Sequence, residues 1–194
     1  LTSENWKGRI CIRSSSNIYN QSLLASMIAS LGPEAAEVWA KGIVNNMARD
    51  PEGGDTDQIK AVAAGLCDLA IVNHYYLARL IASSDAAENE VASKVGLFFP
   101  NQNDSGTHIN ISGAAVVKTA PNYENGVKLL EFLASPEAQA MFALQGYEYP
   151  VVAGVEASPI ILGFGEFKSD TLNVASYGEN NPLAVQIMDR VGWK

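Results

Sequence analysis

Hydrophobic residues recur along the chain at two spacings, and the switches between them predict the elements. Arg9-Ile10-Cys11-Ile12-Arg13 is a short β-prone run. Polar Ser14-Ser15-Ser16-Asn17 follows and suits a helix cap. Leu23, Leu24, Met27, Ile28 and Leu31 then fall at helical spacing, and Gly32-Pro33 ends that helix. Pro33 also fits the first turn of a second helix through Val38, Trp39 and Ile43. Past the turn at 50–54, Asp55 or Thr56 is placed to cap a third helix carrying Ile59, Val62, Ala63 and Leu66. Asp68 to Asn73 reads as a continuous apolar strand, the pattern of a parallel strand buried on both faces. His74-Tyr75-Tyr76 opens the next amphipathic segment. The order strand, three helices, strand, helix predicts an α/β fold. Its sheet is doubly wound and mostly parallel, with helices on both faces.

Beyond residue 80 the pattern is looser. A helix is expected near 86–93 and strands at Val95–Pro100 and Ile111–Lys118, separated by a polar loop. Asn122 can cap a helix with Val127, Leu129, Leu130, Phe132 and Leu133, and Ser135-Pro136-Glu137 starts another. From Tyr147 to Asn181 the chain is irregular, and a last helix is expected at 183–191.

Composition narrows the function. With 194 residues, the chain can build one good core or two small ones. The net charge of −8 and the lack of a basic cluster argue against nucleic acid. No apolar run approaches the roughly 20 residues of a membrane helix, so a membrane-embedded protein is not expected. The start, Leu1–Asn5, is polar and carries no secretory signal. Hydrolase, phosphate-loop and C-x-x-C motifs are absent. Two cysteines, Cys11 and Cys67, leave both a bridge and two buried thiols open.

The candidate chemistry sits where the two predicted parallel strands end. Open α/β sheets place ligands at the carboxyl ends of their strands. If the strands are neighbours, Tyr19, Tyr75 and Tyr76 converge on one crevice. A phenol has a pKa of about 10 and binds a metal as phenolate, so the cation must displace the proton. Tyrosinate suits a small hard cation, ferric iron first, and three phenolates balance its three charges. Tyrosines lining a helix–sheet boundary are the plainer reading. The Ser14–Asn17 turn would present free amides and hydroxyls to an anion, or simply cap a helix. Arg13 and Arg79 are candidate charges beside the site, or partners of surface carboxylates. His74 and His108, the two histidines, lack the spacing of a zinc site.

These residues carry a resemblance. Arg9–Gln21 (RICIRSSSNIYNQ), Gly53–Gly65 (GGDTDQIKAVAAG), Ala70–Leu80 (AIVNHYYLARL), Ile111–Ala120 (ISGAAVVKTA) and Lys128–Gln139 (KLLEFLASPEAQ) resemble ferric-ion-binding proteins, the periplasmic solute receptors of iron ABC transporters. Pro150-Val151, Gly178-Glu179-Asn180-Asn181 and Met188-Asp189-Arg190 fit as well. The likeness spans nearly the whole chain, and Asn73-x-Tyr75-Tyr76 is its most specific part.

The resemblance implies a two-lobed type II binding-protein fold that is not an enzyme. It holds Fe(III) in the interlobe cleft and delivers it to an ABC transporter permease. Tyr19, Tyr75 and Tyr76 would be the iron ligands, and Arg79 would stand behind them. A synergistic anion could touch Ser15, Ser16 and Asn17. A periplasmic location is implied in the same way. Family members carry an amino-terminal segment, most of the first lobe, ahead of Arg9. The chain is therefore expected to be the carboxyl-terminal part, with the missing lobe supplied by a companion fragment. Residues 1–111 would be the core of the carboxyl-terminal lobe. Residues 112–150 would be a hinge strand and helices of the first lobe, and 151–194 the return to the carboxyl-terminal lobe. Two alternatives remain: a receptor of the same fold for an oxyanion, and an enzyme with Cys11 or Cys67 as nucleophile.

Overall fold

The computed structural model describes Leu1–Lys194. It divides into two compact units, one of Leu1–Asn110 with Phe167–Lys194 and one of Ile111–Glu166. Residues 151–166 belong to the second unit. There Pro159 and Leu162 line one apolar groove with Pro136, Ala140 and Leu144.

In the first unit the predicted order is observed through residue 82. Strand β1 (Ile10–Cys11) is followed by helices α1 (Ile18–Leu31), α2 (Pro33–Asn46) and α3 (Asp55–Ala63). Strand β2 (Leu69–Ala70) and helix α4 (His74–Ala82) complete it, and α5 (Ala86–Ser93) lies as expected. The strands pair in parallel, Ile10 with Leu69 and Cys11 with Ala70. The sheet is far smaller than the sequence suggests. The apolar run 68–73 pairs over two residues, and Val95–Pro100 and Ile111–Lys118 form no strand. A β-prone run becomes a strand only where a partner offers backbone groups to pair with.

Local chemistry sets the helix ends. The Asn17 side chain accepts the Tyr19 amide at 3.0 Å and starts α1. Gly32, at φ +85°, ends it, and Pro33 begins α2. The cap of α3 differs from expectation: Gly54 holds that place, and the Asp57 carboxylate accepts the Gly54 amide at 2.6 Å. Gly53, at φ +71°, is required there, because a side chain would strike that carboxylate.

Ile10, Ile12, Leu24, Ala25, Ile28, Ala36, Ala40 and Ile43 form the core with Tyr177, Ala184, Ile187, Met188 and Trp193 of the chain's end. All five of these lie within or just after the final helix. That helix starts earlier than the pattern indicates, running Ala175–Val191 with Pro182 inside. Proline removes one helical hydrogen bond, yet burial of Tyr177 holds the first turn against the core. The chain end also fixes the segment after β1. The Trp193 indole donates to the Arg13 carbonyl at 3.0 Å, and the Ser15 amide donates to the Lys194 carbonyl at 2.9 Å.

The second unit contains α6 (Tyr123–Leu133), α7 (Pro136–Met141), a π-turn (Phe142–Gly146) and α8 (Pro159–Gly163). With these, the Ala175–Val191 helix is α9. Ser135 and Ser158 cap α7 and α8 through their hydroxyls. Leu129, Phe132, Phe142 and Leu144 keep their apolar side chains exposed.

Candidate metal centre

Two helix beginnings build the site. Tyr19 stands in the first turn of α1, after β1, and Tyr75 and Tyr76 stand in the first turn of α4, after β2. Because β1 and β2 are parallel neighbours, the helices start side by side. The Tyr75 hydroxyl donates to the Tyr19 oxygen at 3.0 Å, and the Tyr19 and Tyr76 hydroxyls lie 3.4 Å apart. The Tyr75 and Tyr76 rings are tilted by 33° at 4.6 Å. Small hard cations bonded to oxygen at about 2.0–2.1 Å hold neighbouring ligand oxygens roughly 2.9 Å apart. The Tyr19 oxygen is already near that spacing from the other two. No cluster of three or more His, Cys, Asp or Glu side chains competes for a metal.

Tyr75 and Tyr76 are held neutral in the metal-free protein. Burial pushes the Tyr75 pKa well above its ordinary value, and the hydrogen bond and charge of Tyr19 add to this. Tyr76 is raised as well, by burial first and then by Tyr19. Each phenolate would repel the next, so a cation that replaces their protons relieves the repulsion.

Both arginines lie on these rings. The Arg79 guanidinium is 5.0 Å from the Tyr75 centroid and 5.3 Å from that of Tyr76. It is exposed and forms no ion pair. The Arg13 guanidinium is 5.5 Å from the Tyr19 centroid and pairs with Asp55 at 2.9 Å. Burial works against the Arg13 charge, but the Asp55 hydrogen bond and charge outweigh it, so its pKa is raised.

The serine turn is arranged otherwise than expected. Its backbone amides are not free: Ser15 donates to Lys194, Ser16 to the Ser14 hydroxyl and Asn17 to the Ser14 carbonyl. Folding back onto the chain end consumes the donors an anion would need. Asn17 serves as the helix cap, and the Ser14 and Ser16 hydroxyls meet at 3.0 Å. Ser15, Ser16 and Asn17 make no hydrogen bond to the phenols.

Two polar residues near the phenols, Ser22 and Asn110, were not singled out by the sequence. Asn73 donates toward the Tyr75 hydroxyl at 3.5 Å and accepts from Asn110 at 3.1 Å. Asn110 in turn accepts from Ser22, whose hydroxyl also lies 3.4 Å from His108 Nε2. Burial pushes the His108 imidazole down to about 4. His74 sets its ring edge-on to Tyr75 at 5.7 Å. The open question of the cysteines is resolved as a bridge, with Cys11 and Cys67 Cα atoms 5.9 Å apart. No thiol is left to act as a nucleophile.

Known proteins share this arrangement of chain. Residues 1–161 match the family model described as bacterial extracellular solute-binding protein. Iron uptake protein A1 of Synechocystis sp. is 53% identical over the whole chain, which covers 54% of that protein. The solved structure of the Trichodesmium protein IdiA (FutA), in complex with iron and citrate ligands, superposes with a TM-score of 0.95 at 59% identity. It is matched by the whole chain, which covers 61% of it. The ferric binding protein from Campylobacter jejuni superposes with a TM-score of 0.97 at 41% identity, again over the whole chain and 61% of that protein. The chain thus spans a little over half the length of the curated iron uptake relative it matches.

Proposed function

Because the chain belongs to the bacterial extracellular solute-binding proteins, we propose that it is the part of a receptor that grips ferric iron. Tyr19, Tyr75 and Tyr76 bind the ion as phenolates and release their protons to solvent. One observation carries this reading: at two neighbouring helix beginnings, the Tyr19 phenol oxygen stands 3.0 Å from that of Tyr75 and 3.4 Å from that of Tyr76. The similarity to iron uptake and ferric binding proteins supports it. The phenolates cancel the ferric charge, and Asp55 cancels Arg13. Arg79 is left as one net positive charge above the rings, which suits an accompanying anion. Ser15 and Ser16 could reach that anion only through their hydroxyls. The setting is the periplasm and the recipient an ABC permease. The remainder of the receptor, beyond the half that this chain spans, completes the coordination sphere and covers the exposed apolar side chains of the second unit.

Titration with ferric citrate, followed by visible absorption, tests the reading. A tyrosinate-to-iron charge-transfer band that disappears in Tyr75→Phe is the expected result. A band that is the same in wild type and Tyr75→Phe would remove Tyr75 from the site.

A further inference from the structure

Asp55 is the most deeply buried carboxylate near the phenols, with its side chain 2% exposed. It is the first residue of α3 yet does not cap that helix. Its two oxygens are spent on different segments of the chain. Oδ1 accepts from Arg13 at 2.9 Å, two residues beyond β1. Oδ2 accepts from the Asn73 backbone amide at 2.8 Å, three residues beyond β2.

That location is where the backbone ladder stops. The strands pair over two residues, and one more bond, from the Ile71 amide to the Cys11 carbonyl, follows at 3.1 Å. Farther on, the diverging segments lead directly into the two tyrosine-bearing helices. Asp55 spans this gap with one rigid group. Arg13, on one side, lies over the Tyr19 ring. Asn73, on the other, is the cap residue of α4 and points its amide toward the Tyr75 hydroxyl. We infer that Asp55 is the positioning residue that sets the separation of the Tyr19 phenol from the Tyr75–Tyr76 pair. The inference deepens the ferric reading and rests on it.

A merely electrostatic role predicts the opposite of a positioning role. The negative charge of Asp55 disfavours ionisation of Tyr76. Removing that charge would then strengthen phenolate formation and iron binding. Loss of position weakens binding instead, because a carboxamide puts an NH2 donor in place of one of the two accepting oxygens, where it faces the Arg13 guanidinium or the Asn73 amide. Partners that orient metal ligands typically contribute about 10–100-fold to affinity.

Asp55→Asn and Asp55→Glu separate the cases in the full chain, with ferric citrate as the probe. Folding is checked by far-ultraviolet circular dichroism. Expected are a shifted charge-transfer band in both variants and about 10–100-fold weaker retention against added citrate. Asp55→Glu keeps the charge and lengthens the arm, so an effect there isolates geometry. An unchanged band and unchanged retention in the folded variants, or tighter binding in Asp55→Asn with none lost in Asp55→Glu, overturns the inference. The metal-free near-ultraviolet dichroism of the packed tyrosine rings gives an independent readout. A wild-type protein without any iron band defeats the ferric reading, whereas an unaltered metal-free tyrosine signal in the variants defeats the role of Asp55.

Discussion

Tyr75 donates its hydroxyl hydrogen to Tyr19 across 3.0 Å, although 56 residues of chain separate them. Tyr19 also meets Tyr76, so it is the centre of the cluster. Its removal should cost at least as much as loss of Tyr75. Tyr19→Phe is expected to abolish the iron band and to leave Tyr75 without its acceptor. Tyr123→Phe, at an exposed site in the other unit, should leave the band unchanged. Parallel ferric citrate titrations of the two variants check this.

The raised phenols make the fold sensitive to alkali. Tyr75 and Tyr76 hold their protons above the ordinary value of 10.0, as do Tyr149 and Tyr177. The unfolded chain loses those protons first. Stability from these groups is fully present below pH 10 and is lost as pH rises through the folded values. Urea unfolding of the metal-free protein between pH 9 and 11 should show a falling midpoint, with a smaller fall in Tyr75→Phe.

Acid acts through His108. Its pKa is depressed from 6.5 to about 4, chiefly by burial against Tyr177 and its neighbours. The unfolded state takes up the proton near pH 6.5, so this contribution is present above that value and is lost as pH falls toward 4. The shift corresponds to roughly 3 kcal/mol at full extent. His108→Gln should flatten the decline in stability between pH 6.5 and 4, measured by denaturant unfolding.

The bridge between Cys11 and Cys67 closes a loop of 56 residues and lies almost wholly buried. It joins β1 to the segment just before β2, the two chains whose ends carry the phenols. Replacing both cysteines by alanine should lower unfolding free energy by about 2–4 kcal/mol. Native-state thiol labelling of the wild type should find no reactive cysteine until the chain is unfolded and reduced.

Much of this was local information. Asn17, Gly32, Pro33, Ser135 and Pro136 mark helix ends because capping groups act within a few residues, and the helices stop and start at these positions. Strand length was not local. Val95–Pro100 and Ile111–Lys118 have β-prone composition, but no neighbouring strand pairs with them. The last helix was expected only from 183, whereas α9 starts at Ala175 with Pro182 inside and Tyr177 buried. Asp55 read as a cap by residue type and place, whereas packing turned its carboxylate to Arg13 and Asn73.

The sequence by itself determined the order of elements through residue 82 and the tyrosines at the openings of two helices. Those follow from side-chain spacing and chemistry along one stretch of chain. Only the tertiary structure decided that Tyr19, Tyr75 and Tyr76 share hydrogen bonds, that the cysteines are joined and that the serine turn spends its amides internally. Each of these depends on which distant segments meet. That choice is made by burying Ile10, Leu24, Ile43 and Ile187 in one core, a cooperative outcome that no short window of sequence contains.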